Sequence, residues 1–491
     1  MDPDYLMLIL YIFLIYWFIV FVLDKKGILE RYNISAFGPI LMIRTTRGQK
    51  LLERLSKGEL KERFWRTYAN VGTILVLIAM IYMFVLVLRG AYVMFMVQPE
   101  PTILNEPRNI LLIPGLNEFI PLCAWIGFVI TLVVHEFSHA ILSTVEKIKV
   151  KSMGLLVALI PIGAFAEPDS EQLFGKKENG KKTREETELE PEHDKELKAG
   201  KEEKIKKVAT ARERTRILSA GVTSNFFVAL IAFALFFSLL FAIQPVSEGV
   251  GIARVVEGSP AAKAGIEEGM SIIMMDNEPI EGYKDFLAFM NRTTPRQEVE
   301  VDTKDEKFSV RLEKHPHEDK GFLGVSVFPT KEYLEVLQEI PSSLVAPSSR
   351  DDWGAENHPA IREIKQMSGW QRLMIMPFLP LYFGFGGFDL LPSYLYEPMG
   401  VASFLGGSIF VIADVLFWIG WINLWVGLFN CLPAIPLDGG YVFREMLNPV
   451  LRMGGIKDEK KKEKISKAIT AIISIFIASS IAFMLVGPYF W

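Results

Sequence analysis

The sequence predicts a polytopic α-helical membrane protein with about six transmembrane helices and one inserted domain that returns to strand-like alternation. Three observations predict it. Half of the 491 residues are apolar and the mean hydropathy is +0.27. Six apolar runs, at about 5–23, 69–88, 121–145, 217–243, 404–429 and 468–486, are each long enough to cross the roughly 30 Å hydrocarbon core as a helix. Lys and Arg crowd alternate connections between these runs, which is the charge asymmetry that orients helices in a bilayer. The net charge of −4 excludes the strongly basic class, so nucleic acid is not a partner and the lipid bilayer is. Cys123 and Cys431 lie far apart in apolar segments, and no disulfide framework is readable from them.

Residues 1–98 read as two N-terminal transmembrane helices joined by a basic loop. No basic segment precedes the first run and "DKK" follows it, so it reads as a retained helix and not a cleaved signal peptide. The loop after it carries Lys25, Arg31, Arg44, Lys50, Arg54 and Lys61 among others and is expected to be cytoplasmic. Alternating six crossings puts the basic segments 147–216 and 444–467 on that same side and both termini outside. Residues 119–168 hold the first core helix. Residues 169–214 ("KKENGKKTREETELEPEHDKELKAGKEEKIKK" within them) read as a solvated helical or disordered cytoplasmic loop. His193 in that loop is a lone exposed histidine and is not read as a ligand. The second core helix occupies 215–245, the inserted domain 246–330, and a Pro-, Gly- and aromatic-rich connector, extracytosolic or interfacial, 331–402. A third core helix spans 403–445 and a C-terminal transmembrane helix 466–491.

The third apolar run contains "HEFSH", with His135, Glu136 and His139. An ionised side chain at mid-bilayer costs roughly 3 kcal/mol or more, so such residues are functional by default. Histidines four apart share one helix face and can bind one cation together. Glu136 lies beside that face, where it can reach a water at an open metal position without being a ligand. Zinc in catalytic sites takes three protein ligands and keeps a fourth position for water. The alternative, a buried His–Glu cluster that ties helices together, does not require this spacing. A third ligand should be another polar residue in an apolar segment. "NCLPAIPLDGG", at 430–440, offers Asp438 behind Pro433 and Pro436 and ahead of Gly439 and Gly440. Those residues free the backbone from the helix and let a carboxylate turn toward a neighbour.

These residues carry a resemblance to the site-2 proteases, the family of intramembrane zinc metalloproteases. "HEFSH" matches the family's HExxH, and "NCLPAIPLDG" matches its N-x-x-P-x-x-x-L-D-G pattern with Asn430, Pro433, Leu437, Asp438 and Gly439 in place. "SAGVTSNFFVALIAF" is similar to a core segment of small residues followed by an asparagine, here Asn225. "LIPIGAFAEPD", with Gly163, looks like the membrane-embedded β-hairpin that follows the first core helix. The insertion "EGVGIARVVEGSPAAKAGIEEGMSIIMMDNEPI", closed by "GFLGVSV", resembles a PDZ domain. "GAFAEPD" and the single extracytosolic insertion look closer to the eukaryotic-like branch.

The resemblance implies one Zn2+ per chain on His135, His139 and Asp438, with Glu136 as catalytic base. Asn430 is implied to hold substrate or the developing oxyanion; its alternative is a hydrogen bond within the broken helix. Asn225 reads as a support that pins helices together, and Cys431 as packing. A helical substrate hides its carbonyls in i→i−4 bonds and must be unwound, and the hairpin around Gly163 is an edge on which the unwound strand can be captured. The expected activity is hydrolysis of peptide bonds within transmembrane segments of membrane-anchored proteins. The PDZ-like domain acts either as a filter or as a receptor for peptide C-termini, with amides of "GVGI" at 249–252 cradling a carboxylate. Two rivals are a CaaX-type membrane zinc protease, whose third ligand is a glutamate, and a non-enzymatic PDZ-bearing scaffold.

Overall fold

The computed structural model describes residues 3–45, 47–101, 105–106, 109, 114–115, 117, 120–175, 207–331, 334–335, 338 and 393–490. Most of the charged loop, His193 with it, and most of the connector 331–402 lie outside the described residues. Among those described, five helices are long and apolar enough to cross a membrane: α3 (Glu59–Val97), α4 (Ala124–Val145), α6 (Ala211–Leu240), α9 (Ser408–Asn430) and α11 (Glu459–Val486). The first of the six apolar runs is also helical, as the 23-residue α1 (Pro3–Lys25). The chain divides into two compact units.

The first unit comprises Met1–Glu106, Phe128–Val228 and Ile422–Trp491. Its unexpected part lies in the N-terminal basic loop. There the chain folds into a hairpin of β1 (Ile34–Phe37) and β2 (Ile40–Thr45), with Gly38 at φ +61° in the turn, followed by α2 (Arg47–Ser56). β2 pairs antiparallel with β3 (Val150–Ala158), and β3 with β4 (Ile160–Pro168), giving one sheet in the order β1-β2-β3-β4. The sequence hid this because the partners are more than a hundred residues apart and "ILMI" has no alternation to mark it as a strand. Gly154 makes the junction. A Cβ there would lie 1.9 Å from the Ile43 carbonyl oxygen, so no larger residue lets β2 and β3 approach. A short helix, α5 (Ser170–Phe174), follows β4. It starts at Asp169, whose carboxylate accepts the amides of Glu171 and Gln172.

Beside the sheet, the C-terminal part of α4 packs into a core of Leu52, Ala140, Leu142, Val145 and Ile217. Glu146, just past α4 and 2% exposed, is held by Arg216 Nη1 at 2.9 Å and Arg66 Nε at 3.4 Å. Arg214 forks onto Glu445 at 2.9 and 2.8 Å, tying α6 to α10 (Asp438–Met453). Buried pairs of this kind are costly to break one-sidedly, because the remaining charge is left without water or partner.

The second unit comprises Pro107–Gly127 and Ala229–Trp421. Within it, the inserted domain is an antiparallel sheet in the order β10 (Lys307–Arg311), β9 (Glu298–Thr303), β7 (Ser271–Met275), β6 (Val250–Val255), β13 (Val325–Phe328). β8 (Glu278–Pro279) pairs β7 off this path, and β11 (Glu313–Lys314) pairs β12 (Gly321–Phe322). Two helices cover the sheet's core of Val250, Ile252, Ile272, Met275, Phe286 and Val301. The first, α7 (Pro260–Ala264), is capped by Ser259 Oγ, which accepts the Ala262 amide at 3.2 Å, and ends at Gly265 with φ +90°. The second is α8 (Tyr283–Arg292). One expectation fails here. The "GVGI" segment is not an open loop: Val250 and Gly251 sit opposite Ile272 and Ser271, Ile252 N–H donates to Met270 O, and β13 pairs on the other side. Val250, Gly251 and Ile252 belong to an interior strand with their amides turned to the ladder, so these three do not cradle a carboxylate. β5 (Ile243–Pro245) pairs β14 (Tyr396–Pro398) separately.

Candidate metal centre

α4 brings His135 and His139 to one side, as their spacing requires, and both side chains are buried. Their Nε2 atoms lie 3.2 Å apart. Asp438 completes the group, with Oδ2 3.1 Å from His135 Nε2 and 3.2 Å from His139 Nε2. Donors bound to one zinc at about 2.0 Å in tetrahedral geometry are about 3.3 Å from each other, so the triangle has the size that this ion demands. These three are the one metal-capable cluster found among the described residues.

The protonation pattern fits as well. His139 Nδ1–H donates to the Ile217 carbonyl at 2.7 Å. Asn225 Nδ2 lies 3.1 Å from His135 Nδ1 and its Oδ1 has no partner among the described residues; turning the amide over gives that oxygen the proton of His135 Nδ1 to accept. Both Nε2 lone pairs then face Asp438 Oδ2, which accepts no hydrogen bond. Three acceptors converging on one point without a donor among them leave a buried polar cluster unsatisfied. A cation resolves it.

How the chain delivers Asp438 follows from its local sequence. α9 ends at Asn430 because Pro433 and Pro436 withdraw two amides from any continuing helix. The linker 431–437 turns back, and α10 restarts with Asp438 as its first residue. Gly439 and Gly440 allow that turn: a Cβ on Gly439 would lie 2.4 Å from Cys431 O, and one on Gly440 2.5 Å from Ala434 C. Pro433 thus acts on the chain's path. Cys431 is buried in a cluster with Val76 and Val222, in agreement with a packing role.

Glu136 is half-buried and points elsewhere than its two neighbours in the motif. Its Oε2 accepts the backbone N–H of Ala166 at 2.9 Å. Ala166 lies on β4, the strand that ends the sheet, and its amide faces away from β3 toward the free edge. Gly163 sits three residues earlier on the same strand, opposite Leu156. Asn430 donates from Nδ2 to Val426 O at 3.0 Å, a bond within its own helix, and the structure does not bring it onto the three-ligand cluster.

Two features of the site escaped the sequence. Gly221 on α6 faces the ligands: a Cβ there would meet His139 Nε2 at 2.6 Å and His135 Cε1 at 2.7 Å. Asn225 contacts a ligand ring, where the sequence read it first as a support pinning helices together. Their spacing of four was the available signal, since it places both on one face of α6. The second feature is α3. Tyr68 OH lies 2.9 Å from Ser224 Oγ, and Ser224 2.7 Å from Ser138 Oγ inside the HExxH motif. Nothing in the spacing of α3's residues announces that contact.

The sequence profile of Peptidase family M50 matches residues 123–477, more than half of the chain. An uncharacterized protein of Methanocaldococcus jannaschii is 22% identical over 497 aligned positions, covering 98% of this chain and 99% of that one. "Probable protease eep" of Enterococcus faecalis is 25% identical, over 49% of this chain and 52% of its own length. "Zinc metalloprotease RasP" of Shouchella clausii is 24% identical, over 46% and 49%. The last two similarities therefore span about half of each protein.

Proposed function

The chain belongs to Peptidase family M50, the site-2 proteases, and on that premise we propose that this membrane zinc metalloprotease cleaves peptide bonds inside the transmembrane segments of membrane-anchored proteins. The observation that carries the reading is the Ala166–Glu136 hydrogen bond, which brings a free strand edge against a carboxylate next to the metal cluster. A protease for transmembrane helices needs both: an edge that pairs with an unwound segment, and a base at the carbonyl thus exposed.

β4 presents the amide and carbonyl of Ala164 along its outer edge, and the carbonyl of Ala166, whose amide is held by Glu136. A substrate segment added there hydrogen-bonds through its backbone, so many sequences are accepted, and its next carbonyl lies toward His135, His139 and Asp438. Zinc held by those three side chains would supply Lewis acidity at an open fourth position and bring the pKa of a water there to about 7. Glu136 takes a proton from the attacking water and returns it to the departing amine nitrogen, so no net charge is left in the site. Asn225 and the Ile217 carbonyl keep both rings turned with Nε2 inward. Asn430 retains a second amide proton beyond its bond to Val426, and we assign it to the substrate side of the linker. The aspartate ligand from "LDG" supports this reading over a CaaX-type protease with its glutamate.

The test is reconstitution with a tagged single-span substrate. Wild type should release two fragments cut within the span. Glu136→Gln should keep one zinc per chain and lose cleavage by about a thousandfold or more, the scale of a general base. Asp438→Ala should lose the metal. Bound zinc with no cleavage of any single-span protein would favour the scaffold, and full zinc in Asp438→Ala would remove Asp438 as a ligand.

A further inference from the structure

Among the described residues, the linker between α9 and α10 has one hydrogen bond to a helix other than the two it joins. Its amides can be followed one by one. Cys431 N–H donates to Gly427 O and Leu428 O, Leu432 to Phe429 O, Ala434 to Leu432 O, and Leu437 to Ala434 O. Pro433 and Pro436 have none. The amides of Cys431 and Leu432 thus stay on the end of α9, and Ile435 N–H reaches a different helix, bonding Ser474 Oγ on α11 at 2.9 Å. Ser474 Oγ–H in turn donates to Thr470 O at 2.7 Å, so its one proton goes to its own helix and a lone pair is left for Ile435. Among the described residues no other side chain hydrogen-bonds a backbone group of the linker.

This bond sits three residues before Asp438. The linker is short, carries two prolines, and meets α10 through two glycines, so a shift at Ile435 passes to Asp438 with little chain to absorb it. Packing of Leu432 and Ala434 in a cluster with Ile477 of α11 holds the same segment from the apolar side. That contact holds the segment against α11 without a directional bond. The hydroxyl supplies the direction.

We propose that Ser474 is a positioning residue for the metal centre: it pins the linker to α11 and so fixes where Asp438 meets His135 and His139. The proposal rests on the zinc-ligand reading above, and it concerns the metal, so it is tested on zinc itself. Groups that hydrogen-bond a ligand directly contribute about 10–100-fold to metal affinity, and Ser474, acting through the linker, is placed at the low end. In full-length detergent-solubilised protein, Ser474→Ala should bind zinc about tenfold more weakly in chelator competition. Ser474→Thr, which keeps an oxygen at Cβ, should stay within about twofold of wild type, the rescue that distinguishes a hydrogen bond from packing. Ser480→Ala, which loses only a bond to Phe476 O on the same helix, is the control and should match wild type.

Alanine favours helix, so Ser474→Ala should fold, and its elution and thermal unfolding are compared in the zinc-free state. Wild-type zinc affinity in Ser474→Ala overturns the proposal. So does equal weakening in Ser474→Thr or Ser480→Ala, which would mean that changes along α11 act through helix packing and not through the Ile435 bond. If instead every variant follows the expected zinc order while wild type cleaves no single-span substrate, the tether stands and the protease reading fails.

Discussion

Replacing Gly221 by alanine should weaken zinc binding at the metal centre while leaving the fold intact. The added Cβ would lie 2.6 Å from His139 Nε2, 2.7 Å from His135 Cε1 and 2.8 Å from His135 Nδ1, where ordinary contact begins at 3.4 Å. The shortfalls are 3.4 − 2.6, 3.4 − 2.7 and 3.4 − 2.8, or 0.8, 0.7 and 0.6 Å. Helix α6 cannot simply retreat. Thr223, two residues on and so about 200° around the helix, is pressed against α3, where a Cβ on Gly72 would lie 2.0 Å from Thr223 Oγ1. The rings must therefore move, by several times the roughly 0.2 Å that a metal-ligand distance tolerates. Zinc affinity should fall by about a hundredfold, the upper end of what disturbing a ligand's surroundings costs. Stability should change little, since overpacking of about 1–3 kcal/mol is partly offset by about 1 kcal/mol of better helix propensity. The assay is zinc content after dialysis against a graded chelator, alongside zinc-free thermal unfolding. Stoichiometric zinc at wild-type affinity, or loss of zinc only because the protein no longer folds, would refute this reasoning.

Three other outcomes are expected. Ala164→Pro removes one amide from the outer edge of β4 without touching the ladder to β3. It should raise KM for a single-span substrate by about fivefold, one net hydrogen bond, with zinc content unchanged; Phe165→Pro, which breaks the ladder, should be far worse. Deleting 247–329 separates the two roles of the inserted domain: a filter predicts new cleavage of substrates that keep a large external domain, a receptor predicts slower cleavage of trimmed ones, and no change in either removes both. Cysteines at Lys57 and Lys61 should label only from the cytoplasmic side and one at Glu313 only from outside, and labelling of both regions from one side would break the six-crossing topology.

What the sequence determined by itself is what short-range periodicity encodes. Apolar runs of helix-spanning length, two histidines four apart and a carboxylate behind two prolines are each local patterns, and each was legible because a helix turns that spacing directly into a shared face or a chain break. The need for a third polar ligand in an apolar segment pointed from "HEFSH" to "NCLPAIPLDG", some three hundred residues away, the resemblance implied the same pairing, and the structure brings their donors within 3.2 Å. Only the tertiary structure decided the rest. The hairpin of β1 and β2 joined the sheet through partners that no alternation marked, and "GVGI" became an interior strand because β13 returned to its open side. The Ala166 amide on Glu136, the hydroxyl of Ser474 on Ile435 and the missing side chain at Gly221 are single contacts between elements distant in sequence. Such contacts carry no period. They depend on where helices and strands come to rest against each other, and close packing makes that placement specific to a few tenths of an ångström.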